Sequence, residues 1–150
     1  MTLAAVLRQK GRAVVSVSPD ASVAAVAEII TSQRIGAVVV VDTEQHLLGI
    51  VSERDVVKAL SAYGAEVLHR KAADLMTRDV VTGTPETSVD QAMEIMDKGY
   101  FRHLPVLEGG RLAGIISIRD LVKYRMMLQE HEVESIKAFV VRGGNLGGLP

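Results

Sequence analysis

Gly114-Ile115-Ile116-Ser117-Ile118-Arg119-Asp120-Leu121-Val122-Lys123 restates, at an offset of 65, the earlier phrase Gly49-Ile50-Val51-Ser52-Glu53-Arg54-Asp55-Val56-Val57-Lys58, and seven of the ten positions are identical. A duplication inside one chain takes precedence over any single element, since it dictates that equivalent sites recur at equivalent places. Both copies run from an apolar stretch through Ser into helical spacing, so the phrase marks the passage from a strand to a helix.

Outward from this phrase the two halves spell the same order of strand, helix, strand, strand, helix. In the first half, 13–17 is a β-rich run closed by Ser18-Pro19-Asp20. Val23, Val26, Ala27 and Ile30 then predict a helix over 22–33. The continuously apolar run 36–41 reads as a buried strand, 42–46 turn the chain, 47–51 return it, and a helix over 53–62 stops at Tyr63-Gly64. The second half predicts a strand over 80–83, the punctuation Thr84-Pro85-Glu86, and a helix carrying Val89, Ala92, Met93 and Met96. A buried strand over 103–107, a Gly109-Gly110 hairpin and a return over 112–116 follow. The helical positions lie 66 residues after their counterparts, and a hairpin one residue shorter accounts for the slip to 65.

The expected organisation is a first repeat over 1–64 with a short amphipathic helix over 2–10, a connector over 65–74, a second repeat over 75–126, a helical extension over 127–142 and a flexible glycine-rich tail over 143–150. Along the last helix Val122, Met126, Val133, Ile136 and Val140 fall at a/d spacing, interrupted by Gln129. That seam belongs either against its own subunit or against a dimer mate. The fold class is α/β (α+β).

The chain has 150 residues, 48% of them hydrophobic, which suits one compact domain or two small ones sharing a core. A net charge of -1 with no Lys/Arg run argues against a nucleic-acid or anionic-membrane surface. With no cysteine there is no disulfide, thiolate metal site or thiol nucleophile. No leader or membrane-length apolar run is present, so the expected location is cytoplasmic. His46, His69, His103 and His131 show no metal-ligand spacing, and no metal site is expected.

Ser52-x-x-Asp55 and Ser117-x-x-Asp120 each place a hydroxyl at a helix N-cap and an acid three residues on, which is close to a capping box. The same geometry suits a ligand. A helix N-terminus offers free N–H groups and a positive dipole end to phosphate, and an Asp carboxylate accepts from ribose hydroxyls. Gly49 and Gly114 permit close backbone approach, and Arg54 and Arg119 answer phosphate charge or stand as solvated helix-face charges.

The run from Leu3 to Met126 resembles a tandem pair of cystathionine β-synthase (CBS) domains, also called a Bateman module. The likeness rests on the duplicated Gly-hydrophobic-hydrophobic-Ser-x-x-Asp phrase, on Ile35-Gly36-Ala37-Val38-Val39-Val40 and Phe101-Arg102-His103-Leu104-Pro105-Val106, and on Leu75-Met76-Thr77-Arg78-Asp79-Val80-Val81. The resemblance implies two β-α-β-β-α units packed through their sheets, modules paired into a flat disc, and adenosine-containing ligands in the clefts between the repeats. In one cleft it gives Ser117 and Asp120 the phosphate-side hydroxyl and the ribose acid. Arg102, His103 and Arg119 face the phosphates, and Val14, Val15, Ile35, Gly36 and Ala37 enclose adenine. In the other, Ser52, Arg54 and Asp55 take the first set of roles and Thr77, Asp79, Val81 and Phe101 the second.

Thr77 corresponds to Gly11, so the first cleft lacks that hydroxyl and relies on Lys10. Arg102 and His103 correspond to Gly36 and Ala37. The more cationic Ser117/Asp120 cleft is therefore the favoured one. His103 also admits a plain reading as a satisfied core histidine.

Three function classes follow. The first is a regulatory module that senses AMP, ADP or ATP, with NAD(H) and then S-adenosylmethionine as alternatives, and signals to a separate effector protein as a homodimer. The second is a structural dimerisation or scaffold module without ligand. The third, an enzyme, is not expected, because no phosphate-binding loop, nucleophile–base pattern or cofactor-lysine motif occurs.

Overall fold

The computed structural model describes residues 1–142; the tail over 143–150 lies outside the described residues. The elements are α1 (Leu3–Lys10), β1 (Ser16–Val17), α2 (Val23–Gln33), β2 (Ala37–Val41), β3 (Leu47–Ser52) and α3 (Glu53–Tyr63), then α4 (Ala72–Leu75), α5 (Val89–Gly99), β4 (His103–Glu108), β5 (Arg111–Ser117) and α6 (Ile118–Arg142). Strands β1, β2 and β3 form one sheet, with β1 parallel and β3 antiparallel to β2, while β4 and β5 form an antiparallel pair. The Gly109-Gly110 turn has φ of 60° and 79°, the left-handed geometry of a two-residue hairpin loop.

One predicted element differs. The strand expected over 80–83 shrinks to one parallel bridge between Gly83 and Val106. In the first repeat the Val39 N–H donates to the Val15 carbonyl (3.4 Å). The residue 66 positions after Val39 is Pro105, which has no N–H, so the ladder has no donor to carry it back to Val81. The 65–74 connector holds a 3-10 segment over Ala65–His69 and the start of α4.

Each repeat's core is completed by the segment that precedes the other repeat. Leu3, Val6 and Leu7 of α1, the helix numbered with the first repeat, are buried with Val89, Ala92, Met96, Leu104, Val106, Ile116 and Leu121 of the second. Val67 and Ala72 from the connector are buried with Val17, Val23, Val26, Ile30, Val38, Val40, Val51 and Val56 of the first. The hydrogen bonds are reciprocal too. Leu3 and Ala4 donate to the Thr87 and Pro85 carbonyls, and Ala72 and Ala73 donate to those of Ala21 and Pro19, which are 66 positions apart from the first two.

This exchange explains the duplicated glycines. A Cβ on Gly114 would lie 2.6 Å from Leu7 Cδ2, and one on Gly49 would lie 2.6 Å from Met76 Sδ and 2.8 Å from the Thr77 carbonyl. What they admit is the neighbouring segment rather than a ligand.

Strand β2 is buried along its whole length. Val38 and Val40 face the first core, so by strand alternation Ala37, Val39 and Val41 face the other way, toward the second sheet. The two sheets meet there, and a cleft opens on each side of the meeting line.

Candidate functional site

Both duplicated phrases form complete capping boxes. The Ser52 N–H donates to Asp55 Oδ2 (2.9 Å) and the Asp55 N–H to Ser52 Oγ (3.1 Å). The Ser117 N–H donates to Asp120 Oδ2 (2.8 Å) and the Asp120 N–H to Ser117 Oγ (3.1 Å). Each box commits one carboxylate oxygen and the hydroxyl's lone pair, and it aims a helix N-terminus into a cleft.

The larger cleft, about 850 Å³, is lined by Lys10, Val15, Ile35, Gly36, Ala37, Arg102, His103, Ser117, Arg119 and Asp120 among others. Val14, expected at this wall, is not among its lining residues, whereas Ala13 and Val15 are. Residues 13–15 lead directly into β1, and extended backbone sends alternate side chains to opposite faces. The smaller cleft, about 450 Å³, is lined by Ser52, Arg54, Asp55, Thr77, Asp79, Val81 and Phe101 together with Lys58 and Tyr100.

Sequence reasoning missed several lining groups. Arg34 and Lys123 face the larger cleft and Glu53 faces both. Arg34 is the C-cap of α2 in the left-handed region (φ 54°), and Tyr100, 66 positions on, caps α5 in the same way (φ 57°) and lines the smaller cleft. Neither left-handed C-cap is a glycine, so no residue pattern marked these two positions in the sequence. Lys123 was legible in principle as the last residue of the duplicated phrase, one turn beyond Arg119.

The charge balance differs between the clefts. Lys10, Arg34, Arg102, Arg119 and Lys123 face Glu53 and Asp120 in the larger one, whereas Arg54, Lys58 and Arg102 face Glu53, Asp55 and Asp79 in the smaller. Lys10 Nζ donates to Asp120 Oδ2 and to the Ile115 carbonyl, each at 2.6 Å. In the smaller cleft the Ile50 carbonyl, equivalent to that of Ile115, accepts instead from the Thr77 backbone N–H (2.9 Å). Lys10 thus replaces a backbone bridge with a side-chain cation.

Burial pushes the Asp120 carboxyl up, but hydrogen bonds from Lys10 and the Ser117 N–H outweigh it and hold the group below the usual carboxylate range. His103 is displaced downward, first by burial and then by the Lys10 and Arg102 charges, against the opposing pull of Asp120 and Glu53. The ring is therefore neutral at pH 7. Among the described residues no group of three or more His, Asp or Glu side chains is placed to hold a metal, and no helix is long and apolar enough to cross a membrane.

The CBS domain model matches twice, over residues 11–62 and 72–127. The chain belongs to the CBS-domain family. It is 32% identical over 152 aligned positions to the mitochondrial CBS domain-containing protein CBSX3 of Arabidopsis thaliana, covering 95% of this chain and 73% of that one. An uncharacterized 17.7 kDa protein of Acidianus ambivalens is 38% identical over 79% of this chain and 70% of its own length. Among solved structures, the CBS-domain containing protein ATU1752 of Agrobacterium tumefaciens superposes with a TM-score of 0.81 at 48% identity, over 83% of this chain and 99% of that one. The CBS domain pair of protein MJ0100, solved with 5-methylthioadenosine and S-adenosyl-L-methionine, shares the fold with a TM-score of 0.74 at 23% identity, over 83% of this chain and 98% of that one.

Proposed function

We propose that this CBS pair is a regulatory binding module for an adenine nucleotide, taken up first in the Ser117/Asp120 cleft. The observation that carries the reading is the α6 N-terminus opening into a cavity of about 850 Å³ with five cationic side chains against two carboxylates. Backbone N–H groups and the helix dipole favour phosphate there, and Arg102, Arg119 and Lys123 add charge-assisted donors. The apolar wall of Val15, Ile35 and Ala37 suits adenine, and Asp120 suits the ribose hydroxyls once Lys10 swings from it to phosphate. MJ0100 supports an adenosine-containing ligand by its own complex. For this chain the cationic excess favours AMP, ADP or ATP over S-adenosylmethionine, whose sulfonium is itself positive, with NAD(H) as the second phosphate-bearing class. A ligand touching both repeats prefers one inter-repeat geometry, which is the signal that a separate effector protein reads.

The Lys10–Asp120 pair favours one competing reading, since it satisfies the acid without any ligand and leaves a scaffold module. Calorimetric titration with AMP, ADP, ATP, NAD(H) and S-adenosylmethionine separates the two. Binding of a phosphate-bearing nucleotide, weakened by about 10- to 100-fold in Asp120→Ala through loss of charge-assisted hydrogen bonds and less in Asp55→Ala, is the expected result. At about 100 times Kd such a ligand adds roughly 2.7 kcal/mol to stability. Heat-silent titrations with no shift in Tm for every one of these compounds would favour the scaffold.

A further inference from the structure

Helix α6 outruns the body it starts from. Its first turns are anchored by Leu121, which is fully buried, by Ile118 and Tyr124 packed on the second core, and by an ion pair from Arg125 to Asp90. From Gln129 to Val141 every residue is exposed, so the two alternatives for the seam are resolved against its own subunit. Val133, Ile136 and Val140 are 49%, 61% and 55% exposed, and Val122 and Met126, also exposed, continue the same stripe toward the anchored turns. A protruding stretch of this length has little stability alone in water, and its stripe repeats every 3.5 residues, the period that fits another helix at a shallow crossing.

We propose that this stripe pairs with the α6 of a second copy in a parallel, in-register two-helix seam. Met126, Val133 and Val140 take the a positions and Val122, Gln129 and Ile136 the d positions. In that register Glu132 lies across from the partner's Lys137 and, by symmetry, Lys137 from the partner's Glu132, while Glu130 flanks the partner's Arg125. Valine at the a positions suits two strands. An antiparallel pair over the exposed stretch would leave Val122 and Met126 outside the overlap, whereas the parallel pair covers the whole stripe. The inference does not depend on any ligand. It does place the two Lys123 side chains, which line the larger clefts, beside the start of the seam.

Sedimentation equilibrium of the full chain is expected to give a dimer mass, and Ile136→Glu to weaken the dimer by at least about 100-fold, because it buries unpaired charge in the seam. Glu132→Lys should weaken it, and Glu132→Lys with Lys137→Glu should restore it. The chain has no cysteine, so single substitutions report register cleanly. Val133→Cys and Val140→Cys are each expected to form a disulfide-linked dimer on mild oxidation, with unchanged far-ultraviolet circular dichroism as the control for folding. A monomeric wild type overturns the proposal, as does a trimer or tetramer, or a dimer indifferent to Ile136→Glu. Cross-linking through Val133→Cys but not Val140→Cys overturns the parallel register.

Discussion

At the scale of single residues, one ammonium group acts on two titratable neighbours. Lys10 reaches Asp120 and stands near His103, so it lowers both groups, although burial contributes the largest effect on each and with opposite sign. For His103 the folded pKa lies below the unfolded value. The stability that its neutral ring contributes is present above about pH 6.5 and is lost as pH falls through the lower folded value. Asp120 behaves in the same sense at more acidic pH, present above its unfolded pKa and lost on protonation. Proton NMR of the His103 Cε1–H should give a midpoint below that of a free imidazole, and Lys10→Met should raise it; a midpoint that ignores this substitution would leave burial and Arg102 as the cause of the displacement. Lys10 drew notice in the sequence only because Gly11 stands where the other repeat has Thr77. Arg34 could not be found that way. Its side chain reaches the cleft because its backbone adopts a left-handed conformation (φ 54°), and no side-chain pattern announces that for arginine.

At the scale of elements, periodicity told which face of each helix is buried and remained silent about its partner. Leu3, Val6 and Leu7 give α1 an apolar face that is legible at once, yet a 3.6-residue spacing looks the same whether the helix covers its own repeat or the other. The partner follows only from the chain returning, more than 80 residues later, to offer the Thr87 and Pro85 carbonyls. Strand existence was legible for the same reason in reverse, since 36–41 has no face left to expose. The strand predicted over 80–83 was not, because its loss depends on a missing donor in a different strand. Leu7 fills the notch that Gly114 leaves, so Leu7→Ala should cost about 2–5 kcal/mol in urea unfolding. Hydrogen exchange supplies the sharper test. Added exchange should concentrate in α5, β4 and β5, whose core α1 completes, and equal acceleration in α2 and β2 would contradict the exchanged packing.

At the scale of the whole molecule, the duplication makes two clefts but does not make them separate. Gly36, Glu53, Arg102 and His103 line both cavities, and Gly36 and Arg102 are themselves equivalent positions whose carbonyls accept from the Glu53 and Ile118 N–H groups, each at 2.9 Å. Where the repeats meet, one has glycine and alanine while the other has arginine and histidine, and the small residues make room for the large ones. A Cβ on Gly36 would lie 2.8 Å from both Cε1 and Nε2 of the His103 ring. Gly36→Ala must therefore move a ring that belongs to both clefts. On the nucleotide reading, its effect should appear at two sites at once, with each Kd rising roughly tenfold, equivalent to about 1.4 kcal/mol, where Asp55→Ala or Asp120→Ala disturbs mainly its own. Reciprocity requires further that ligand in one cleft alter affinity in the other by the same factor in both directions, since both ligands act on one wall. Titrations with two resolved binding steps measure both. If Gly36→Ala weakens only one step, His103 belongs functionally to a single cleft, and the shared wall carries no coupling.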